Sequence, residues 1–218
     1  MMRLTMGLSA LLLAGCGASG GDGETPGAGA PVSFEDQAAL TPCEVVEALA
    51  ISMEADIPFQ GLSRPPEEGE GFPNDRITAL QPWGYTCKHG ILGGWNEGDP
   101  DSHVFRCTIF EASSLRFEEE MPNAQAAFDE AKATLDSCLP EGWTAREDSG
   151  GKGEEAQTFI YERASDIERS ETADFYMYPI MLRKAFFRSP ESRGGPWGWI
   201  VDVAFQQPEM AEAEPAGE

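Results

Sequence analysis

The chain of 218 residues is poor in basic residues and in histidine. Lysine and arginine total 15 against 38 acidic residues, which gives a formal net charge of −23, and there are only two histidines. Because so acidic a chain is repelled by phosphate backbones, we expect no nucleic-acid partner. An excess of acidic residues typically keeps a protein soluble. The alternative interpretation is that these residues bind cations or basic partners.

The common signatures of catalysis and cofactor binding are missing as well. The sequence holds no G-x-S-x-G, no H-E-x-x-H, no phosphate-binding glycine loop and no dinucleotide fingerprint. An S-x-x-K match at Ser149 and Lys152 lies in a glycine-rich stretch, whereas that motif needs its serine at the start of a helix. We therefore predict no catalytic residues, no metal and no cofactor, and any mechanism that needs histidine must use His89 or His103.

No apolar run in the sequence is long enough to cross a bilayer. The run at 4–14 is about half of the roughly 20 residues that a spanning helix needs. It follows one positive charge, Arg3, and ends in small residues. A short basic start, a short apolar core and a small-residue end are typical of an export signal.

The export signal ends in Leu13-Ala14-Gly15-Cys16, which resembles the lipobox of bacterial lipoproteins, L-[AS]-[GA]-C. The resemblance implies that Cys16 is acylated on sulfur, that the chain is cleaved before it, and that its new amine is acylated. Several acyl chains anchor a protein firmly, at about 0.8 kcal/mol per buried methylene. We expect a lipid-anchored protein of the bacterial cell envelope. Gly17, where an Asp would favour the inner membrane, indicates the outer membrane, facing the periplasm or the exterior.

The remaining organisation follows from composition. Residues 1–15 are the predicted signal peptide, and residues 16–33, rich in Gly, Ala and Ser, form a flexible tether. Residues 34–207 are long enough for one disulfide-linked domain, and residues 208–218 are interpreted as an acidic disordered tail. The alternative at the start of the chain is an ordinary secretory signal with an incidental cysteine.

Four cysteines remain beyond the lipobox, and an even number in an exported chain predicts two disulfides. Three connectivities are open to four cysteines, so local structure must guide the choice. The four are Cys43, Cys87, Cys107 and Cys138.

The first pair is predicted from two helices. Thr41 and Glu44 have the spacing of a capping box, and Pro42 suits the first helical position, so Cys43 lies in the first turn of a helix. In "NAQAAFDEAKATLDSCLPEGW" apolar residues recur at steps of three, four and seven, and Pro140 ends the helix just after Leu139, so Cys138 lies in its last turn. If these helices pack antiparallel, a first turn meets a last turn. We predict a Cys43–Cys138 disulfide.

The second pair is predicted from a hairpin. Residues 83–92 and 103–112 alternate like strands around the turn "NEGDPD". A register that places Cys87 opposite Cys107 puts His89 and His103 on the same, apolar face. These four residues also contain the ligand set of a tetrahedral zinc site. The C-x-H spacing is tighter than usual for zinc, and an oxidising compartment favours the Cys87–Cys107 disulfide.

The rest of the chain predicts further strands. We expect strands near 143–146 and at 156–164, and Pro179 makes "ADFYMYPIMLRKAFF" either an edge strand or two pieces. The predicted fold is α+β: two helices packed on an antiparallel sheet, in the order helix, strand, strand, helix, then three or four strands. In "GWIVDVAFQ" the expected inward residues are Trp199, Val201, Val203 and Phe205, and the outward ones are Asp202 and Gln206.

Two similar segments, "PWGYTC" and "PWGWIV", each place a tryptophan at the start of a predicted strand. Trp83, Trp197 and Trp199 are a candidate stacking platform for sugars, and the alternative is that they fill the core and the sheet edge.

The expected function is that of an envelope lipoprotein that binds or scaffolds an envelope protein or a glycan. The membrane is the one further partner, reached through the acyl chains on Cys16. Two alternatives stay open: an exported hydrolase with a site assembled from scattered residues, and a metal-binding hairpin.

Overall fold

The computed structural model describes residues 33–70, 74–94, 100–112, 116–150, 153–172, 176–188 and 197–209. All of them belong to one compact unit, Pro31–Glu218. In this part of the chain helices pack against a single antiparallel sheet, and most of the core is one cluster of side chains from helices and strands.

The described residues form three α-helices and seven strands. The strand order in the sheet is β1-β2-β3-β7-β6-β5-β4, and every neighbouring pair is antiparallel. The helices are α1 (Pro42–Ser52), α2 (Phe117–Cys138) and α3 (Ala164–Thr172), and the strands are β1 (Asp75–Arg76), β2 (Lys88–Leu92), β3 (Ser102–Ala112), β4 (Thr144–Asp148), β5 (Glu154–Glu162), β6 (Ile180–Phe187) and β7 (Gly198–Pro208).

The predicted α+β class with an antiparallel sheet is confirmed, but the predicted element order and helix count are wrong. The sequence pattern missed β1 because two residues are too few to show an alternation. It missed α3 because that segment is polar apart from Ile167. This helix is held by ion pairs, in which Arg163 and Arg169 bind the fully buried carboxylate of Asp166, rather than by an apolar stripe.

The helix predictions at α1 and at the end of α2 hold. The Thr41 hydroxyl accepts the Glu44 amide, and the Glu44 carboxylate accepts the Thr41 amide at 2.8 Å, which completes the capping box. α2 begins earlier than the sequence indicates and carries Pro122 within its second turn. Its buried stripe packs over the sheet and comprises Ala124, Phe128, Ala131, Leu135 and Cys138.

Both disulfides have the connectivity that the sequence favours. Cys43 in the first turn of α1 joins Cys138 in the last turn of α2, with Cα atoms 5.3 Å apart. Cys87 joins Cys107 across the β2–β3 hairpin, with Cα atoms 4.2 Å apart. The chain therefore carries one bridge between its helices and one within its sheet.

Two expectations about the last strands need correction. Pro179 does not make β6 an edge strand, because β6 begins one residue later and lies between β5 and β7. Because Pro179 precedes the strand, its lack of a backbone N–H removes no hydrogen bond from the sheet. Its carbonyl accepts the Gln206 amide at 2.7 Å. Asp202 does not face solvent: it is 4% exposed, because the Arg183 guanidinium on β6 binds both its carboxylate oxygens, at 3.2 and 2.9 Å.

In the ranges that the structure describes, no helix has both the length and the apolar character needed to span a bilayer.

Candidate functional site

Two histidines meet inside the β2–β3 hairpin. In the ladder His89 pairs with Phe105 and His103 pairs with Ile91, so the two imidazoles are diagonal neighbours on one face. His89 Nε2 lies 2.9 Å from His103 Nδ1. The residues are 3% and 1% exposed. The predicted register brings both histidines to the core, and there they contact each other directly.

A serine and a carboxylate extend this contact at both ends. Ser63 Oγ lies 2.7 Å from His89 Nδ1, and His103 Nε2 lies 2.9 Å from Glu209 Oε1. All four ring nitrogens therefore have a hydrogen-bond partner. We call these four residues, Ser63, His89, His103 and Glu209, the histidine relay.

Backbone pairing at the sheet edge positions the two outer members of the histidine relay. Arg64 and Ile77 exchange both backbone hydrogen bonds, at 2.9 and 2.8 Å, and β1 in turn places Arg76 opposite His89. Ser63 is thus brought next to β2. At the other end the Glu209 amide donates to the Asp101 carbonyl at 2.8 Å, which continues the β3–β7 ladder beyond β7.

Aromatic rings surround His89. The Phe59 ring meets it edge-on with centroids 5.5 Å apart, and the Phe105 ring lies tilted at 5.3 Å. Phe59 has φ +61°, a left-handed conformation that is strained for a bulky side chain. Strained backbone of this kind concentrates at functional sites, and here it holds an aromatic ring against the imidazole.

His89 is kept neutral by its surroundings. Burial, followed by the nearby charges of His103 and Arg76, lowers the pKa of His89 to about 3. The ring therefore carries no charge at neutral pH, and one of its nitrogens must accept while the other donates.

When both rings are in the neutral form, the carboxylate fixes the direction of every proton. An ionised Glu209 can only accept, so His103 Nε2 donates to it and His103 Nδ1 accepts. His89 Nε2 must then donate to His103, which leaves His89 Nδ1 to accept the Ser63 hydroxyl proton. Each hydrogen bond in the histidine relay points from the serine towards the carboxylate.

The histidine relay can take up one proton without breaking. A proton added to His103 reverses the inner bonds: His103 Nδ1 then donates to His89, and His89 Nδ1 donates to Ser63 Oγ. A second proton would place an N–H on both facing nitrogens, which are 2.9 Å apart. The pair of imidazoles consequently holds at most one positive charge, next to Glu209.

The sequence predicted the inner half of the histidine relay and missed the outer half. Ser63 lies in a loop segment without a recognisable pattern, and its partner is 26 residues away. Glu209 had been assigned to the acidic tail, with the domain ending at residue 207. In the structure Pro208 is the last residue of β7, and Glu209 is hydrogen-bonded to both His103 and Asp101.

Two of the four ligands of the alternative zinc site are joined in a disulfide. Cys87 and Cys107 are joined to each other, so neither offers a thiolate beside His89 and His103. Across the described ranges no group of three or more His, Cys, Asp or Glu side chains is arranged to hold a metal ion.

The three tryptophans of the candidate platform lie in different surroundings. Trp199 is fully buried, stacks on Phe117 with ring centroids 5.4 Å apart and donates its indole N–H to the Phe117 carbonyl at 2.8 Å. Trp83 is half-buried against the core. Trp197 is 56% exposed, so it alone of the three presents its ring to solvent. The lipobox cysteine, Cys16, lies outside the described residues.

Comparison with known proteins finds no relative: no family model matches the chain, no curated protein matches it, and no solved structure matches it.

Proposed function

We propose that the protein is a lipid-anchored protein of the bacterial cell envelope whose folded part acts as a binding or scaffold module. The observation that supports this best is the pair of disulfides, because together they use every cysteine except Cys16. Disulfides persist in oxidising compartments such as the periplasm and the cell surface. The remaining cysteine, Cys16, belongs to the lipobox-like tetrapeptide, in which acylation requires a cysteine.

Two covalent cross-links restrain the module. One bridge fixes the start of α1 to the end of α2, and the other fixes the hairpin that forms one side of the sheet. A binding surface on such a domain loses little conformational entropy when a partner docks. The acidic surface disfavours nucleic acid and anionic lipid, so the partner is an envelope protein or a glycan, and the membrane is contacted through the acyl chains on Cys16.

Anchoring is tested by intact-mass spectrometry of full-length protein from a bacterial host. The expected product begins at Cys16, carries acyl chains, partitions into detergent and has no free thiols in the folded domain. Cys16→Ala should abolish acylation and move the protein to the aqueous phase, while Gly20→Ala, a change in the tether, should not. An unmodified amino terminus together with free sulfhydryls would overturn the anchor.

Binding is tested separately by cross-linking the anchored protein in intact cells. An envelope protein or a glycan cross-linked at the surface of the folded domain is the expected product. The absence of any adduct from cells in which the anchored protein is abundant would overturn the binding or scaffold role and leave the anchor standing.

A further inference from the structure

The histidine relay points to an activity of its own. We propose that Ser63 is the nucleophile of an acyl-transfer site that cleaves carboxylic esters, with His89 as the group that takes its proton. His103 and Glu209 complete the path for that proton. The inference rests on the geometry of the folded domain and does not depend on the lipid anchor or on a binding partner.

The hydroxyl, the imidazoles and the carboxylate follow one another in the order required for hydrolysis by a serine nucleophile. A serine becomes nucleophilic when a neutral imidazole accepts its proton and when the far nitrogen of that imidazole donates to an acidic group. Ser63 Oγ lies 2.7 Å from the accepting nitrogen of His89, within the range of a nucleophile–base contact. The histidine relay differs from the usual triad by one inserted imidazole, that of His103.

The acylation step balances without any further reactant. Ser63 Oγ attacks the ester carbonyl carbon, its proton moves to His89 Nδ1, and the Nε2 proton of His89 moves to His103 Nδ1. The tetrahedral intermediate then expels the alcohol oxygen, which receives a proton back along the same path. The C–O bond to the alcohol breaks, and an acyl group stays on Ser63.

Water completes the turnover. It attacks the acyl carbon, gives a proton to His89 in the same way, and the Ser63–acyl bond breaks to release a carboxylic acid. Neither step changes an oxidation state, and at the end each group of the histidine relay has the proton with which it began.

The position of the His103 imidazole between His89 and Glu209 has a physical explanation. Phe59 and Phe105 make the surroundings of His89 apolar, and its lowered pKa shows how poorly the ring holds a charge there. Passing a proton on to His103 moves the positive charge to a ring that already donates to the Glu209 carboxylate at 2.9 Å. A charge beside a carboxylate is stabilised by direct Coulombic attraction. His89 therefore conducts the proton, and His103 holds it.

The surroundings of Ser63 suit the reaction in two ways. Ser63 is only half-buried, whereas both histidines are buried. Arg76 lies opposite His89 in the ladder, and its positive charge contributes to lowering the pKa of His89. Its positive charge favours the negative oxygen that develops on the carbonyl during attack.

The test uses full-length protein, a fluorophosphonate probe and p-nitrophenyl acetate. We expect one covalent adduct, located at Ser63 by peptide mass spectrometry, and ester hydrolysis above the buffer rate. Ser63→Ala should remove both. Ser52→Ala is the matched control, because Ser52 is another half-buried serine whose hydroxyl binds a backbone carbonyl, that of Leu49; it should leave both unchanged.

The outer groups are tested through the pH profile. Glu209→Gln should lower the rate by about 10²-fold and shift the pH profile of ester hydrolysis, and Glu209→Asp should recover part of the rate. Glu209 is 35% exposed, so these variants are expected to fold, which circular dichroism checks. A probe that fails to label the folded protein, or a rate that survives Ser63→Ala, overturns the proposal.

Discussion

His89 Nε2 and His103 Nδ1 lie 2.9 Å apart inside the hairpin that the Cys87–Cys107 disulfide closes. At that distance a single hydrogen fits between the two nitrogens, so the buried pair binds one extra proton and cannot bind two. This contact, together with the burial of His89, makes the hairpin sensitive to acid.

The first prediction concerns stability against pH. The pKa of His89 is about 3 in the folded state and about 6.5 in an unfolded chain, so the unfolded state binds more protons between these values. The contribution of His89 to the free energy of unfolding is therefore fully present above about pH 6.5 and falls with acidification below it by about 1.4 kcal/mol per pH unit. Urea unfolding between about pH 7 and about pH 5, above the range where most carboxylates titrate, measures the slope. His89→Gln should reduce this slope, and a wild-type stability that stays level over the interval would contradict the pKa assignment.

The second prediction compares the two disulfides. Cys43 and Cys138 close a loop of 95 residues, and Cys87 and Cys107 close one of 20. Because a longer loop constrains the unfolded chain more, removing the first pair should cost about 4–5 kcal/mol and removing the second about 3 kcal/mol. Urea unfolding of the two double-alanine variants gives both values. A larger loss from the hairpin pair would mean that loop entropy does not decide the ranking.

The third prediction concerns the start of α1. Thr41→Ala removes the side chain that accepts the Glu44 amide, so the free energy of unfolding should fall by about 1 kcal/mol. Thr134→Ala is the matched control, since that hydroxyl only bonds back to the Glu130 carbonyl within α2. The control should change stability by less than about 0.5 kcal/mol. Equal effects of the two substitutions would show that the capping box contributes nothing.

The fourth prediction concerns the buried ion pair of the central strands. Arg183→Met leaves the Asp202 carboxylate buried without its two-point partner and should cost about 3–5 kcal/mol. Arg106→Met is the control, because Arg106 approaches Asp202 only to 3.9 Å and is 45% exposed; its loss should cost less than about 1 kcal/mol.

A second substitution separates the charge from the packing at this ion pair. Adding Asp202→Asn to Arg183→Met removes the buried charge and should restore part of the lost stability. If the double variant is no more stable than Arg183→Met alone, the loss comes from packing and not from the unpaired carboxylate.

Local signals explain what the sequence alone could predict. The capping box at Thr41, the proline after Cys138 and the hairpin turn each mark one position on the chain, and together they favour the observed cysteine pairs. Contacts between segments that are distant in sequence and have no local motif cannot be recognised in this way. Glu209 meets His103 across 106 residues, and α3 is stabilised by the buried Asp166 rather than by apolar periodicity. These were the elements that the sequence pattern could not show.

Trp199 illustrates the same limit in another way. Its place at a strand start was visible in the sequence, but its burial depends on the first turn of α2, whose Phe117 supplies both the stacking ring and the accepting carbonyl. Because α2 begins earlier than the apolar repeat indicates, that partner could not be anticipated.

The direction of the protons from Ser63 to Glu209 is measured most directly by nitrogen NMR of the imidazoles. The chain has only two histidines, so selectively labelled, tag-free protein gives two rings, which His89→Gln assigns. In their neutral form both rings should be protonated on Nε2, with Nδ1 accepting. A proton on Nδ1 of either neutral ring would contradict the histidine relay and, with it, the activation of Ser63.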